Sequence, residues 1–380
     1  MNQVLRWHGV SAASRSSVRP TLFGRRLAVL LASIITHAAA ALAADRVDPV
    51  VSPVEIIAPS PRSAPQVGAD RVLLISTRAL GTQCTAAAMS ERLRCERLVR
   101  GGGAAPARWQ PIAWSDVAAE FAEPMPTVVY VHGNRVDDGE DRSHGLALYR
   151  QLAARKGEAQ PIRYVIWSWP SEQIRGPRKD YQLKAARTRP VGWQLAWAID
   201  QWPEESPLEL VGYSYGARVV TGALHLLAGG ELDDLRLVDR AHPARPPVRA
   251  ALVAAAVDAD WLQPGGFHGR ALEQVDQLLL VNNQLDPAMR FYHLAIEGRN
   301  SRALGYAGVA GRAHLGELAD RVRAIDVSDA VGRSHALGDY LAAPEPVGRV
   351  LEQLAPSPRG ARLDAREASL AGRKKGRERQ

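Results

Sequence analysis

Residues Leu208 to Val220 read LELVGYSYGARVV, and this stretch decides the fold. Leu208, Leu210 and Val211 make a short apolar strand, and Ala217, Val219, Val220, Ala223 and Leu224 continue as a helical run. Between them lies Gly212-Tyr213-Ser214-Tyr215-Gly216, a G-x-S-x-G turn in the strand-to-helix setting of a nucleophile elbow. So sharp a turn holds its central residue at strained φ/ψ and needs small residues two before and two after it, which Gly212 and Gly216 supply. The helix that starts at Tyr215 aims its N–H groups and positive dipole end at Ser214, where negative charge would develop during acyl transfer.

The elements around this stretch alternate strand and helix. Arg71 to Thr77 (RVLLIST) reads as a strand, and Arg92 to Val99 as a second, antiparallel one. From Gly101 to about Pro126 the sequence reads as a loop carrying Trp109 and Trp114. Thr127 to Val131 (TVVYV) is a continuous β-branched and aromatic run, the pattern of a central strand buried on both faces. A helix is expected over Asp141 to Ala154, a strand over Arg163 to Trp169, and a helix containing Trp193, Leu195, Ala196 and Ile199 ahead of the elbow strand. Later strands are expected over Arg249 to Val257, Gln277 to Val281 and Val322 to Val327, with a closing helix from Pro346 to Leu354. This order predicts an α/β fold, a mostly parallel doubly wound sheet with helices on both faces.

The ends have a different character. Arg25-Arg26 precede an apolar run from Leu27 to Leu42 that closes on Ala41-Leu42-Ala43, the layout of a secretory signal peptide cleaved after Ala43. Retention of that segment as a membrane anchor is the alternative. The organisation read from composition is a leader over 1–43, a Pro-rich linker over 44–68, one globular domain over 69–355 and a basic disordered tail over 356–380. Much of the net charge of +8 sits at the two ends, and no Lys/Arg stripe interleaved with aromatics runs through the middle. Nucleic acid is therefore not an expected partner, while the leader or the basic tail offers a route to a membrane surface. Cys84 and Cys95 are close enough in sequence for one disulfide in an oxidising compartment, and two unpaired small apolar residues is the other reading.

A serine hydroxyl needs an adjacent base, and that base an acid to orient it. Asp286, in VNNQLDPAM on the second strand after the elbow, is the preferred acid; Asp258 and Asp260, after RAALVAAAV, are its rivals. Asp-Pro equally describes a helix N-cap or turn at Asp286. His335, in VSDAVGRSHALGDYL after the last strand, is the preferred base over His293 and His314 among the chain's 10 histidines. The oxyanion would take the backbone N–H of Tyr215 and one from His132-Gly133-Asn134-Arg135, with Asn134 preferred, and His132 is read as shaping that loop. No metal spacing, dinucleotide fingerprint or phosphate-binding loop is present in the sequence, so no cofactor is implied.

VYVHGN, WSWPSE, GYSYGARVV, VDAD, NNQLDPAM and IDVSDAVGRSHALGDYL together resemble the bacterial α/β-hydrolases of unknown function related to DUF900, over roughly Asp70 to Leu354. The resemblance implies an α/β-hydrolase fold and a Ser-Asp-His triad, matched here by Ser214, Asp286 and His335. Tyr213 and Tyr215 depart from it, since His before the nucleophile and a small residue or Met after it are common. The Asp258–Gln277 connection is too short for a large cap domain, which leaves Ser171 to Pro190 as an expected partial lid favouring acyl chains of modest size or anionic esters. A solvated loop and helix start is its plainer reading. The expectation is an exported serine hydrolase acting on a small ester-like substrate. A non-catalytic binding module of the same fold in the cell envelope is the alternative.

Overall fold

The computed structural model describes residues 70–99, 106–123, 125–156, 161–203, 207–238, 240–241, 248–295, 302–343, 345–346 and 348–350. The expected leader, linker and tail lie outside the described residues, as does part of the expected closing helix. Nine strands form one sheet among the described residues: β1 (Arg71–Ser76), β2 (Arg94–Val99), β3 (Arg108–Ile112), β4 (Thr127–Val131), β5 (Arg163–Ser168), β6 (Leu208–Tyr213), β7 (Val248–Val253), β8 (Val275–Asn282) and β9 (Val322–Asp326). Their spatial order is β3-β2-β1-β5-β4-β6-β7-β8-β9. Every neighbouring pair from β1 to β9 is parallel, and β2 and β3 are joined antiparallel at one edge.

The central strands explain why the sheet is covered twice. Along β4, Val129 and Val131 enter one core with Leu73, Ile75, Val165 and Trp167, while Val128 and Tyr130 enter the other with Val72, Leu74, Tyr164 and Ile166. A strand buried at every position needs cover on both faces, which helices supply here. The helices Pro177–Asp200 and Tyr215–Leu227 cover the first face, and the helix Glu140–Lys156 packs on the second. The chain steps from β4 outward to β5 and then returns to the other side of β4 as β6. The direction of winding therefore reverses at β4, and the crevice beyond the carboxyl ends of such strands is where ligands bind in open α/β sheets. With the elbow on β6 beside that crevice, this is an α/β-hydrolase fold.

Two stretches differ from the sequence reading. The expected loop from Gly101 to Pro126 contains β3 and a helix, Trp114–Phe121. Trp114, Val117 and Phe121 recur at helical spacing. Trp114 meets Trp197 at 5.8 Å between ring centroids, and Phe121 stacks on Trp202 at 4.0 Å. The strand is short, half-exposed and contains Pro111, features that an edge position tolerates and that mask it in the sequence. The expected lid is mostly helix, since Pro177–Asp200 is one element with Pro190 inside it. Cys84 and Cys95 are both free thiols, and burial pushes each up to about 12.

Small residues let the elbow helix lie almost on the sheet. A Cβ at Gly216 would overlap the Val131 carbonyl, and one at Gly212 would lie 2.8 Å from the backbone of Ala217. Gly192 makes a similar approach from the neighbouring helix, 3.4 Å from the Val219 carbonyl oxygen. Gly212→Ala should therefore destabilise the protein by about 1–3 kcal/mol, as overpacked cores do, measured by urea denaturation. An unchanged midpoint would mean that the helix can lift off the strand at no cost.

Candidate active site

Ser214 has φ 51° and ψ −115°, a region that side-chain-bearing residues avoid at a cost of about 1–3 kcal/mol. Three backbone bonds hold it there. Its N–H donates to the Val253 carbonyl at 2.9 Å, and its own carbonyl accepts from the N–H groups of Ala256 and Ala217, each at 3.1 Å. The neighbouring strand β7 thus fixes the conformation that the turn alone would relax.

The structure brings Ser214, His335 and Asp286 together. His335 Nε2 lies 3.1 Å from Ser214 Oγ, and its Nδ1 lies 2.6 Å from Asp286 Oδ2. A carboxylate only accepts, so Nδ1 carries the ring proton and Nε2 is left to accept from the hydroxyl. All three residues are buried. Asp286 also caps the short helix Pro287–Arg290, accepting from the N–H groups of Ala288 at 2.8 Å and Met289 at 3.2 Å through Oδ1. The two sequence readings of this residue, helix cap and partner of a base, hold at once because each uses a different oxygen.

Three residues quoted in the sequence motifs without a role brace this arrangement. The Tyr340 hydroxyl donates to Asp286 Oδ2 at 2.9 Å. Burial, then the Asp286 charge, pushes its phenol far above the ordinary range, so it stays a donor. Asn283 is fully buried and donates from Nδ2 to the Gly332 carbonyl at 2.8 Å, tying the acid loop to the histidine loop. The Tyr213 hydroxyl donates to the His335 carbonyl. In the sequence these are a tyrosine before the nucleophile, an asparagine at a strand end and a tyrosine in the stretch after the last strand. Only their long-range partners reveal them.

The loop after β4 borders the serine: a Cβ on Gly133 would lie 3.2 Å from Ser214 Cβ. His132 shapes this loop. Its Nδ1–H donates to the Gly133 carbonyl at 2.9 Å, its Nε2 accepts from the Trp169 N–H at 3.2 Å, and its ring stacks on Trp169. Burial, then the nearby Arg78, lowers its pKa to about 3. Arg135 has φ 59°, and its N–H and that of Val136 donate to the carbonyl and hydroxyl of Ser171 at 2.8 and 3.2 Å. Asn134 precedes them, its side-chain amide donating to Asp180 at 3.3 Å. Tyr215 occupies the first position of the elbow helix, its hydroxyl on the Tyr181 carbonyl at 3.2 Å.

The rival residues lie elsewhere. Asp258 is buried in a bridge with Ala303 and Asp260 is exposed; the His335 ring bonds to Asp286 rather than to either. His293 belongs to the helix Tyr292–Ala295, and His314 is exposed on a 3-10 segment. Along the expected lid, Arg175, Arg178 and Lys179 are exposed, whereas Asp180 and Lys184 turn inward as a fully buried pair at 3.2 Å. Among the described residues, no group of three or more His, Cys, Asp or Glu is placed to hold a metal, and no helix is long and apolar enough to cross a membrane.

No family model matches the chain and no curated protein matches it, so the likeness to DUF900-related hydrolases rests on the quoted motifs alone. Solved structures do match. The chain is similar to an inhibited esterase B from Lactobacillus rhamnosis (14% identity, 90% of this chain and 99% of that one, TM-score 0.43). It is similar to the catalytic core domain of acetyl xylan esterase from Trichoderma reesei (13%, 61% and 97%, TM-score 0.33). It also resembles an IroE-like serine hydrolase from Shewanella oneidensis (15%, 71% and 79%, TM-score 0.35). The fold assignment stands on the strand order and the elbow described above.

The buried neutral His132 has a measurable consequence. Below about pH 6.5 an unfolded histidine takes up a proton that the folded ring refuses, so its contribution to stability is lost as pH falls from 6.5 toward 3. Between pH 7.5 and 5 the stability gap between wild type and His132→Asn should narrow by about 2 kcal/mol in urea denaturation. A gap that stays constant or widens would contradict the neutral assignment.

Proposed function

We propose that this protein is an exported serine hydrolase that cleaves carboxylic esters, thioesters or amides through an acyl-enzyme. The observation that carries the reading is the continuous hydrogen-bonded line from Ser214 Oγ through His335 to Asp286, set under a strained elbow at the point where the sheet reverses its winding. Ser214 Oγ attacks the carbonyl carbon as His335 Nε2 takes its proton. Asp286 Oδ2 holds the ring and stabilises the imidazolium. The backbone N–H groups of Tyr215 and Asn134 take the developing oxyanion, one at a helix N-terminus and one in the loop beside the serine. His335 then gives the proton to the leaving group, and water repeats the cycle on the acyl-enzyme.

Tyr340 and Asn283 are positioning residues, acting through Asp286 and the histidine loop. The signal-peptide reading of 1–43 supports export to the periplasm or cell envelope, with anchoring by the same segment as the alternative. The linker over 44–68, the hydrolase domain over 69–355 and the basic tail over 356–380 belong to the same proposal. The chemistry assigned to these residues calls for no cofactor.

A fluorophosphonate probe should label Ser214 in the wild type and leave Ser214→Ala unlabelled. On short p-nitrophenyl esters Ser214→Ala should lower kcat/KM by about 10⁴–10⁶, with His335→Ala costing nearly as much because the set acts as a unit. Absence of labelling in the well-folded wild type would sink the hydrolase reading and favour a binding module.

A further inference from the structure

We infer that Arg135 gives the site a binding subsite for a carboxylate, so that the preferred substrates are esters bearing a negative charge near the scissile bond. The inference rests on the serine-hydrolase reading and adds a substrate class to it. Arg135 stands two residues beyond Gly133, the residue in near-contact with Ser214. Its backbone is locked at φ 59° by the bond to Ser171. Its guanidinium is locked as well: Nε donates to Asp180 at 3.0 Å, and Cζ lies 4.8 Å above the Tyr181 ring. Tyr181 in turn stacks against Tyr215, the residue after the serine, with centroids 6.4 Å apart. A row of ring contacts therefore connects the cation to the residue that follows the nucleophile.

Nη2 of this guanidinium is buried and has no hydrogen-bond partner among the described residues. A buried charge-bearing donor left empty is costly, and a ligand that fills it gains strongly. The local charge is also unbalanced. Asp180 is shared between Arg135 and the fully buried Lys184, so two cations face one carboxylate. A planar anion on the Nη edge would meet the vacant donor and correct the imbalance, and the fork of an arginine fits a carboxylate best. Arg175, Arg178 and Lys179 of the expected lid are exposed, whereas Arg135 is held in the loop beside the serine. The anionic preference anticipated for that stretch moves to an arginine in the loop after β4.

Two substrate pairs test the inference and separate the two sides of the ester. p-Nitrophenyl hemisuccinate against p-nitrophenyl valerate places the charge on the acyl side. 3-Acetoxybenzoate against its methyl ester places it on the leaving group. The wild type should favour the charged member of one pair in kcat/KM by at least about tenfold, the scale of one charge-assisted hydrogen bond. Arg135→Gln should remove that ratio, and Arg135→Lys, which keeps the charge beside Asp180 but not the fork, should retain part of it. Calorimetric binding of free succinate and glutarate, expected for the wild type and lost in Arg135→Gln, reads the subsite without catalysis. A wild type that is indifferent or prefers the neutral ester in both pairs overturns the inference, as does a ratio that survives in Arg135→Gln. If no ester turns over and the probe fails to label, the hydrolase reading falls. Dicarboxylate binding then still decides the role of Arg135.

Discussion

The closeness of the elbow helix to the strands beneath it governs the rest of the molecule. Gly216 lies against the Val131 carbonyl and Gly212 against Ala217, so the helix from Tyr215 runs within backbone contact of β4 and β6. That approach forces Ser214 into its strained conformation, and the bonds to Val253 and Ala256 keep it there. It also brings the loop after β4 against the serine, because the same contact fixes where Val131 and His132 end. The reach of the nucleophile and the place of the loop beside it thus depend on these two close approaches.

The polar cluster behind His335 shows how a buried carboxylate is kept in place. Asp286 collects four donors: two backbone amides from the helix it starts, the His335 ring and the Tyr340 hydroxyl. A charge with that many partners tolerates removal from water far better than one with a single ion-pair partner. Asn283 and Tyr213 then grip backbone carbonyls on the histidine loop, so the imidazole approaches the serine from a loop that is anchored at several points.

Much of this could be read from the chain because local chemistry dictates it. Thr127–Val131 is a run of β-branched and aromatic residues with no charge, the pattern of a central strand, and the spacing of Gly212, Ser214 and Gly216 needs a sharp turn between a strand and a helix. The same holds for the three residues that meet at Ser214, since each follows a strand whose end the apolar pattern marks. What stayed hidden depends on partners far away in sequence. β3 is an edge strand with little apolar signal, and the helix Trp114–Phe121 was obscured by the glycines and prolines around it. Helix Pro177–Asp200 begins with a charged, Pro-containing run that reads as a loop. Only the inward turn of Asp180 and Lys184 onto the Arg135 loop makes it an element of the site.

The two thiols carry a consequence for how the domain meets its redox surroundings. Cys84 is half-buried beside the Pro190 carbonyl, and Cys95 is buried in β2 opposite Ile75. Burial pushes both up to about 12, so neither is a ready thiolate at neutral pH. A buried, protonated thiol is a poor partner for thiol–disulfide exchange, so the folded domain has little tendency to change its covalent form. Its packing, unlike that of a disulfide-stapled domain, is indifferent to the redox potential around it.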